Sequence, residues 1–178
     1  KIITGENIKP GDVVLGLPSS GLHTNGYSFA RKLFFKIGGY DVNDTIPELE
    51  KSVGLTLLEP HINYTNHVFS VLDKCIDVKG IAHITGGGLV ENIPRILPDG
   101  CGVEIKKGSW PSLPVFDVMQ FIGDVDEEEM YRAFNIGIGM VFIVDYADVN
   151  SVKDALKDLT EVYEIGMVVR GEKVVEIK

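Results

Sequence analysis

The pattern of apolar and polar residues predicts buried strands alternating with amphipathic helices. An apolar run at residues 13–15 is typical of a buried strand. Small and polar residues follow at positions 16–26, a segment that we call the first loop. Apolar residues then recur at helical spacing until the pair Gly38-Gly39, which is expected to end the helix. The predicted order is therefore strand, first loop and helix.

The first loop has the composition of an anion-binding site. A loop between a strand and a helix directs backbone N–H groups and the positive end of the helix dipole toward a ligand above it. His23 adds a group that can titrate near neutral pH. Further hydrogen bonds can come from four polar side chains: Ser19, Ser20, Thr24 and Asn25. A phosphate ester is the expected ligand, and the alternative is a turn that binds nothing, with His23 as an exposed residue without a role.

A second strand–loop–helix unit begins near Gly80. Its apolar strand ends at His83, and three consecutive glycines at residues 86–88, which we call the glycine run, precede a helix. Three glycines lose much backbone entropy when they become ordered. They indicate either a close approach of the backbone to a ligand or a tight packing corner between strand and helix.

Other patterns predict the remaining elements. A short helix is predicted from a capping box at residues 45–48 to about Ser52, and another helix has Tyr64, Val68, Val71 and Leu72 on one face. Further helices are predicted at residues 115–122, at 127–134 and after a cap at Asn150. Strands are predicted at residues 102–106 and 140–144, and a final hairpin is predicted from residues 165–169 and 174–177. Glycines within residues 135–140 indicate a bulge or a close backbone neighbour, and Asn135 is expected to fix its turn.

Two histidines, His61 and His67, lie near the helix that contains Tyr64. A metal-binding pair is one interpretation. Their i, i+6 spacing, however, puts them on different faces of a helix. We therefore expect solvated or helix-capping histidines.

Composition limits the classes of protein. The 178 residues suffice for one domain, or for one domain with a small appendage. The net charge of −9 argues against a nucleic-acid-binding protein, and no apolar run reaches the length of a membrane span. The first residues have the form of neither a signal peptide nor a transit peptide. The two cysteines, Cys75 and Cys101, are expected to be reduced, buried thiols of a cytoplasmic protein.

Three motifs stand out along the chain. They are Ser-Ser-Gly-Leu-His-Thr-Asn-Gly-Tyr-Ser at residues 19–28, His-Ile-Thr-Gly-Gly-Gly-Leu with Asn-Ile-Pro-Arg at residues 83–95, and Phe-Asn-Ile-Gly-Ile-Gly-Met at residues 134–140. Together they resemble the AIR synthetase family, the phosphoribosylformylglycinamidine cyclo-ligases of purine biosynthesis. The resemblance extends from Gly11 to the final hairpin and covers only the C-terminal half of the family protein. One segment departs from the family pattern Glu-Pro-Thr-Arg-Ile-Tyr-Val-Lys, because Ile62 and Asn66 replace the arginine and the lysine, whereas Tyr64 is kept.

The resemblance implies an α+β fold in which a mixed β-sheet is flanked by helices in a layered α/β/α arrangement. Residues 1–10 would be a connector from a missing N-terminal domain, and residues 11–178 would form the AIR synthetase-like C-terminal domain. The implied reaction is the ATP-dependent closure of formylglycinamidine ribonucleotide to aminoimidazole ribonucleotide, ADP and phosphate through an iminophosphate. ATP and Mg²⁺ would be bound mainly with the N-terminal domain, and this chain would hold no metal.

The expected partners are the substrate, ATP and the chain's own N-terminal domain, in a protein that is a homodimer when intact. Nucleic acid and membranes are not expected partners, and the isolated domain is expected to be inactive. The alternatives are four other users of ATP, namely formylglycinamidine ribonucleotide synthetase, selenophosphate synthetase, thiamine-monophosphate kinase and a hydrogenase-maturation protein, or a binding module without catalysis.

The resemblance also indicates site residues. His23 and His83 are the candidate catalytic residues. Arg95 can bind a phosphate bidentately, although an ion pair on the helix surface is the favoured interpretation. The candidate substrate- and phosphate-binding residues are Ser19, Ser20, Gly21, Asn25, Gly26, Thr85, Gly86, Gly87, Gly88, Asn92 and Arg95.

Overall fold

The computed structural model describes residues 2–178, and these contain a single sheet of six strands. The strands are β1 (Val13–Pro18), β2 (Val78–His83), β3 (Cys101–Ile105), β4 (Ile138–Val144), β5 (Tyr163–Arg170) and β6 (Val175–Ile177). Their order across the sheet is β2-β4-β1-β5-β3-β6. All neighbouring pairs are antiparallel except β3 and β6, which are parallel. The sheet is mixed, as predicted.

Seven α-helices lie within the described residues. They are α1 (Tyr27–Arg31), α2 (Val53–Leu57), α3 (Thr65–Leu72), α4 (Gly88–Asn92), α5 (Pro114–Gly123), α6 (Glu127–Ala133) and α7 (Val149–Leu156). Helix α1 continues as a π-helix (Lys32–Ile37), and α4 continues as a 3-10 helix (Ile93–Ile96). Another 3-10 turn (Tyr146–Asp148) precedes α7.

The alternation of side chains along the strands divides the core between the two faces of the sheet. On one face, Val14 and Ile143 pack in a cluster that includes Leu89 of α4 and Tyr131 of α6. On the other face, Leu15 and Phe142 pack with apolar residues of α3 and α7. The layered α/β/α arrangement is therefore confirmed.

A third apolar cluster joins α1, α2 and α5 around the buried rings of Phe34 and Phe116. Leu22 of the first loop and Phe134, which follows α6, belong to the same cluster. The first loop is thus anchored in a helical core of its own rather than lying loosely on the surface.

The predicted final hairpin is wrong, because β5 and β6 do not pair with each other. Both pair with β3: Val103 lies opposite Val168 on one side and opposite Val175 on the other. The chain crosses the end of β3 near Gly102, where a Cβ atom would lie only 2.8 Å from the carbonyl oxygen of Glu172. The absence of a side chain there lets the crossing segment approach the strand closely.

Three smaller predictions also fail. The capping box does not start a helix: Thr45 forms an antiparallel bridge with Ser52, and the helix begins at Val53. Apolar burial explains the difference, because a turn at residues 46–49 places both of its apolar side chains in the core. Asn150 lies inside α7 rather than capping it. Cys75 is exposed, although Cys101 is buried, and both are free thiols.

The segment before β1, expected to be a connector, packs against the domain over the part that the structure describes; Lys1 lies outside it. Ile8 is buried in the core, and the N–H group of Gly11 donates to the carbonyl oxygen of Val168 at 2.8 Å. That this segment links to another domain stays a prediction.

A buried ion pair ties together the strands that lead into the two loops. Asp12 precedes β1 and Lys79 lies on β2, and their side chains are only 1% and 7% exposed. Burial by itself lowers the pKa of Lys79, but hydrogen bonds and charge interactions with Asp12 and Asp145 outweigh that effect and raise it. The lysine is therefore charged in the folded protein at neutral pH.

Candidate functional site

Three of the four histidines of the chain, namely His23, His67 and His83, pack against the ring of Tyr64. The rings of His23 and His61 are stacked, with centroids 4.2 Å apart and an angle of 15° between their planes. The Nε2 atoms of His61 and His83 are 3.1 Å apart, and His67 packs edge-on against Tyr64. The first loop, the turn before α3 and the end of β2 therefore bring three histidines into contact.

The expectation that His61 is a solvated histidine is confirmed, because the residue is exposed, and it does not cap the helix. It keeps an exposed surface, but it stacks on His23, and α3 begins after Tyr64. The helical-face argument does not apply, because His61 lies in the turn before the helix. Only His67 is in the helix itself.

Consecutive left-handed residues turn His23 into the protein. His23 has φ 51° and Thr24 has φ 63°, a conformation that costs energy for residues other than glycine. Two hydrogen bonds to the carbonyl oxygen of His23 hold this turn: Thr24 Oγ1 donates at 2.6 Å and Asn25 Nδ2 at 2.7 Å. His23 is completely buried, so the alternative of an exposed loop histidine is wrong.

The hydrogen bonds of His23 show that its ring is neutral. Its Nε2 accepts from the N–H group of Ser20 at 3.0 Å and, more weakly, from that of Ile62 at 3.4 Å. The proton of the ring is therefore on Nδ1, an assignment from the hydrogen-bond network. Burial, followed by the charges of His61 and His83, lowers the pKa of His23 to about 4. His23 is thus uncharged at neutral pH.

The Nδ1 atom of His23 is buried and has no hydrogen-bond partner. It faces the backbone of β4, because a Cβ atom on Gly139 would lie 2.9 Å from it and would overlap the hydroxyl of Tyr64. The hydroxyl of Tyr64 itself donates to the carbonyl oxygen of Pro18 at 2.6 Å. This explains the glycine in the strand: as predicted, it has close neighbours, and they are residues of the site.

Asn135 fixes the first loop from the third motif. Its Oδ1 accepts from Ser19 Oγ at 3.0 Å and from the N–H group of Gly137 at 2.8 Å. Its Nδ2 donates to the carbonyl oxygen of Gly21 at 2.8 Å. Asn135 is completely buried, so the loop has a single, hydrogen-bonded shape. The side chain of Ser19 is also buried and is used within the protein.

The glycine run is in part a packing corner, one of the two interpretations considered for it, and its approach to a ligand stays a prediction. Gly88 is a packing corner, because a Cβ atom there would overlap the backbone carbonyl of Tyr131 and lie 2.6 Å from that of Phe134. At Gly87, a Cβ atom would lie 2.6 Å from the Cβ of Glu91. Gly86 is different, since the nearest neighbour of a Cβ atom is Asn25 Oδ1 at 4.0 Å. Open backbone is therefore available at Gly86, beside the first loop.

Two other candidate residues, Thr85 and Asn92, form hydrogen bonds at the glycine run. Asn92 is buried, and its Nδ2 donates to the carbonyl oxygens of Gly88 at 2.8 Å and Gly86 at 3.2 Å. Thr85 Oγ1 donates to Asn92 Oδ1 at 3.0 Å, so both residues hold the glycine run in shape.

Gly26 packs against the ring of Phe134, whose Cδ1 would be 2.6 Å from a Cβ atom. The favoured interpretation of Arg95 as part of a surface ion pair is wrong: it is exposed, and no acidic side chain of residues 2–178 lies within ion-pair distance of it.

An open groove of about 580 Å³ runs beside the histidines. It is lined by His61, Ile62, Asn63, Tyr64, Thr65, Val68, Phe69, His83 and Met140. None of the lining residues is a lysine or an arginine, so the two histidines are its cation-forming groups. Within residues 2–178, no group of three or more histidine, cysteine or acidic side chains is arranged to hold a metal ion.

This fold, together with the motifs that meet in it, defines a C-terminal domain of the AIR synthase type. Residues 9–178 match the family model described as AIR synthase related protein, C-terminal domain. The chain belongs to this family, as the motifs predicted. No helix within residues 2–178 is long and apolar enough to cross a bilayer.

Curated relatives point to one enzyme. The chain is 46% identical over 173 residues to phosphoribosylformylglycinamidine cyclo-ligase of Thermoanaerobacter sp. (strain X514), covering 97% of this chain and 51% of that protein. It is 48% identical over 161 residues to the protein of the same name from Geotalea daltonii, covering 90% of this chain and 46% of that protein. The chain spans about half the length of the curated relatives it matches.

Solved structures share the fold at low identity. Thiamine-monophosphate kinase from Stenotrophomonas maltophilia K279a aligns with a TM-score of 0.64 at 14% identity, over 99% of this chain and 52% of that one. The hydrogenase maturation protein HypE of E. coli aligns with a TM-score of 0.60 at 22% identity, over 97% and 48%. A HypE in complex with ATP aligns with a TM-score of 0.59 at 16% identity, over 97% and 49%.

Proposed function

We propose that this chain is the C-terminal half of an ATP-dependent cyclo-ligase that converts formylglycinamidine ribonucleotide to aminoimidazole ribonucleotide, ADP and phosphate. One observation supports the proposal most strongly. The first loop and the glycine run meet at Asn25 and Gly86, in a chain that is 46% identical over 97% of its length to a phosphoribosylformylglycinamidine cyclo-ligase. A role in purine biosynthesis places the protein in the cytoplasm.

The chemistry explains why such a site is needed. An amide oxygen is a poor leaving group, and transfer of the γ-phosphoryl group of ATP to it gives an iminophosphate. The amidine nitrogen then attacks the same carbon, and phosphate leaves. The protein must therefore position phosphate groups against a nucleotide and move protons.

The groups available in this chain suit the phosphate part of that task. Asn25 and the open backbone at Gly86 lie side by side, and His83 is the last residue of β2. His23 stays our first candidate for a catalytic or substrate-orienting residue. Because it is completely buried and its Nε2 accepts from Ser20, we propose that it orients the reacting groups through the first loop, whereas the exposed His83 is the second candidate and can move a proton. Ser19, Thr85 and Asn92 support the site by shaping its loops.

The nucleotide and its metal ion are assigned mainly to the other half of the protein. The complex of ATP with a HypE of similar fold supports the use of ATP. The proposal also assigns Mg²⁺ mainly to an N-terminal domain, as the family resemblance implies. The proposal includes a homodimer of the intact protein and predicts no turnover by residues 1–178 alone.

The test is the release of ADP by the intact protein with magnesium-ATP and formylglycinamidine ribonucleotide. Selenide and thiamine monophosphate serve as control substrates. Ring-closed product with the first substrate alone supports the proposal, and His23→Ala should then abolish most of the activity. Turnover with a control substrate instead would show that the loops report only the wider group of ATP-using relatives.

A further inference from the structure

The contact between His61 and His83 requires a proton between two nitrogen atoms. Their Nε2 atoms are 3.1 Å apart, and two unprotonated nitrogens at this distance would repel each other. Thr24 Oγ1 donates to the carbonyl oxygen of His23, so toward Nδ1 of His61, at 3.5 Å, it can only accept. This places the proton of His61 on Nδ1, and His83 then donates from Nε2.

The surroundings of His83 favour its neutral form. Burial and then the charge of His61 lower the pKa of His83. The stacked His23 behind His61 has its Nε2 occupied by the N–H group of Ser20. From α3 and the turn before it, Tyr64 has a raised pKa because it is buried, and the pKa of His67 is lowered by burial. From the turn after α2, Glu59 is paired with Lys51 at 2.6 Å. None of these interactions supplies a positive charge to the groove.

We propose that His61 and His83 form a proton-dependent anion site, in which a phosphate dianion binding in the groove brings one proton from solvent onto the pair. The added proton makes both Nε2 atoms donors, so their mutual hydrogen bond breaks and both donate to oxygens of the anion. No covalent bond changes, and the proton comes from the buffer. The inference deepens the proposed function, on which it rests, because it assigns the phosphate group a defined contact.

The groove favours an anion over a metal ion. Two imidazole nitrogens at 3.1 Å are a potential chelate, but no third side chain joins them to complete a metal-binding group in the described chain. An anion, in contrast, needs a cation, and among the lining residues only these two histidines can become one. The stack of His61 on the buried His23 fixes the plane of the ring before the anion arrives.

Calorimetry can count the proton directly. Inorganic phosphate is titrated into the 178-residue chain near pH 7.5, where histidines are mostly neutral, in buffers that differ in ionisation enthalpy. We expect an uptake of about one proton per phosphate bound. In His61→Asn, uptake should fall nearly to zero and affinity should fall roughly tenfold. His67→Gln is the matched control, because His67 contacts Tyr64 but does not line the groove, and it should behave like the unchanged chain.

NMR identifies the proton's location. The Cε1–H resonances of the four histidines report their charge, and phosphate should move those of His61 and His83 toward imidazolium values. Potassium chloride at equal ionic strength should leave them in place. His83→Gln provides a second variant, and circular dichroism confirms that each variant is folded.

Three results would overturn the inference: phosphate binding without proton uptake, uptake that survives in His61→Asn, or no phosphate binding by the folded chain at tens of millimolar. None of them bears on turnover by the intact protein with formylglycinamidine ribonucleotide. A cyclo-ligase that works without proton uptake would retain the proposed function and lose only this inference.

Discussion

The first loop and the glycine run have the same strand–loop–helix order, but they use it differently. The first loop turns its histidine inward through two left-handed non-glycine residues and leaves it neutral and buried. The second unit leaves His83 with an exposed surface and uses Gly88 to bring the chain against the carbonyls of Tyr131 and Phe134. A run of glycines thus combines a tightly packed position, Gly88, with an open one, Gly86, and each glycine has to be judged by its own neighbours.

The largest expected effect comes from the glycine that packs. Gly88→Ala places a Cβ atom against two backbone carbonyls and keeps a left-handed residue at φ 56°, so it should destabilise the domain by about 4 kcal/mol. Chemical denaturation measures the change. Gly86→Ala is the matched control and should change the free energy of unfolding by less than about 1 kcal/mol. Equal losses of stability in both variants would contradict the conclusion that Gly88 is tightly packed and Gly86 is open.

The next effect tests the connection between the two units. Asp12→Asn removes the charge that pairs with Lys79, leaving a buried ammonium group, and should cost about 3 kcal/mol. Asp145→Asn, whose carboxylate is 40% exposed, should destabilise the domain much less than Asp12→Asn. Thermal unfolding of the two variants provides the measurement, and a larger loss in Asp145→Asn would contradict our description of the pair.

A smaller loss of stability is expected where Gly139 of β4 packs against His23 and Tyr64. Gly139→Ala would push Tyr64 and His23 away from the strand and should cost about 2 kcal/mol. Adding Tyr64→Phe removes the hydroxyl that lies nearest to the new methyl group. The double variant should therefore lose less stability than the sum of the two single variants. If the changes in unfolding free energy of the two single variants simply added up, the new methyl group would not be in contact with the hydroxyl of Tyr64.

The smallest effect is the pH dependence contributed by His23. Its pKa is lowered from 6.5 to about 4, so the unfolded chain binds more protons between these values. The stabilisation of the folded state by the neutral ring of His23 is therefore fully present above pH 6.5 and is lost as the pH falls toward 4. The difference in unfolding free energy between the unchanged chain and His23→Gln should shrink by about 1 to 2 kcal/mol over this range. A constant difference would show that His23 is not buried in neutral form.

The local patterns of the sequence were sufficient for much of the fold. Apolar periodicity located the strands and most of the helices, because it reflects the side of each element that is buried. It also located β6 but did not reveal that β6 pairs with β3, since alternation records which face of a strand is buried and not which strand lies beside it. Only the close approach at Gly102, a contact between distant segments, decides that pairing.

The candidate site was predicted only in part for the same reason. The motifs identified both loops, and Asn135 was expected to fix a turn. His61 was missed because it lies in a turn, where no periodicity indicates direction, and its partners are 38 and 22 positions away along the chain (61 − 23 and 83 − 61). The one available signal was its position directly after Glu59-Pro60, in the segment that departs from the family pattern.

The central claim is that the first loop and the glycine run form one anion site. Titration of the ¹⁵N-labelled chain with inorganic phosphate tests it most directly, because each backbone amide reports separately. We expect the amide resonances of residues 20–26, 61–66 and 83–86 to shift with a single dissociation constant, while the amide resonances of β6 do not change. Shifts confined to one loop, or separate dissociation constants for the two loops, would contradict it.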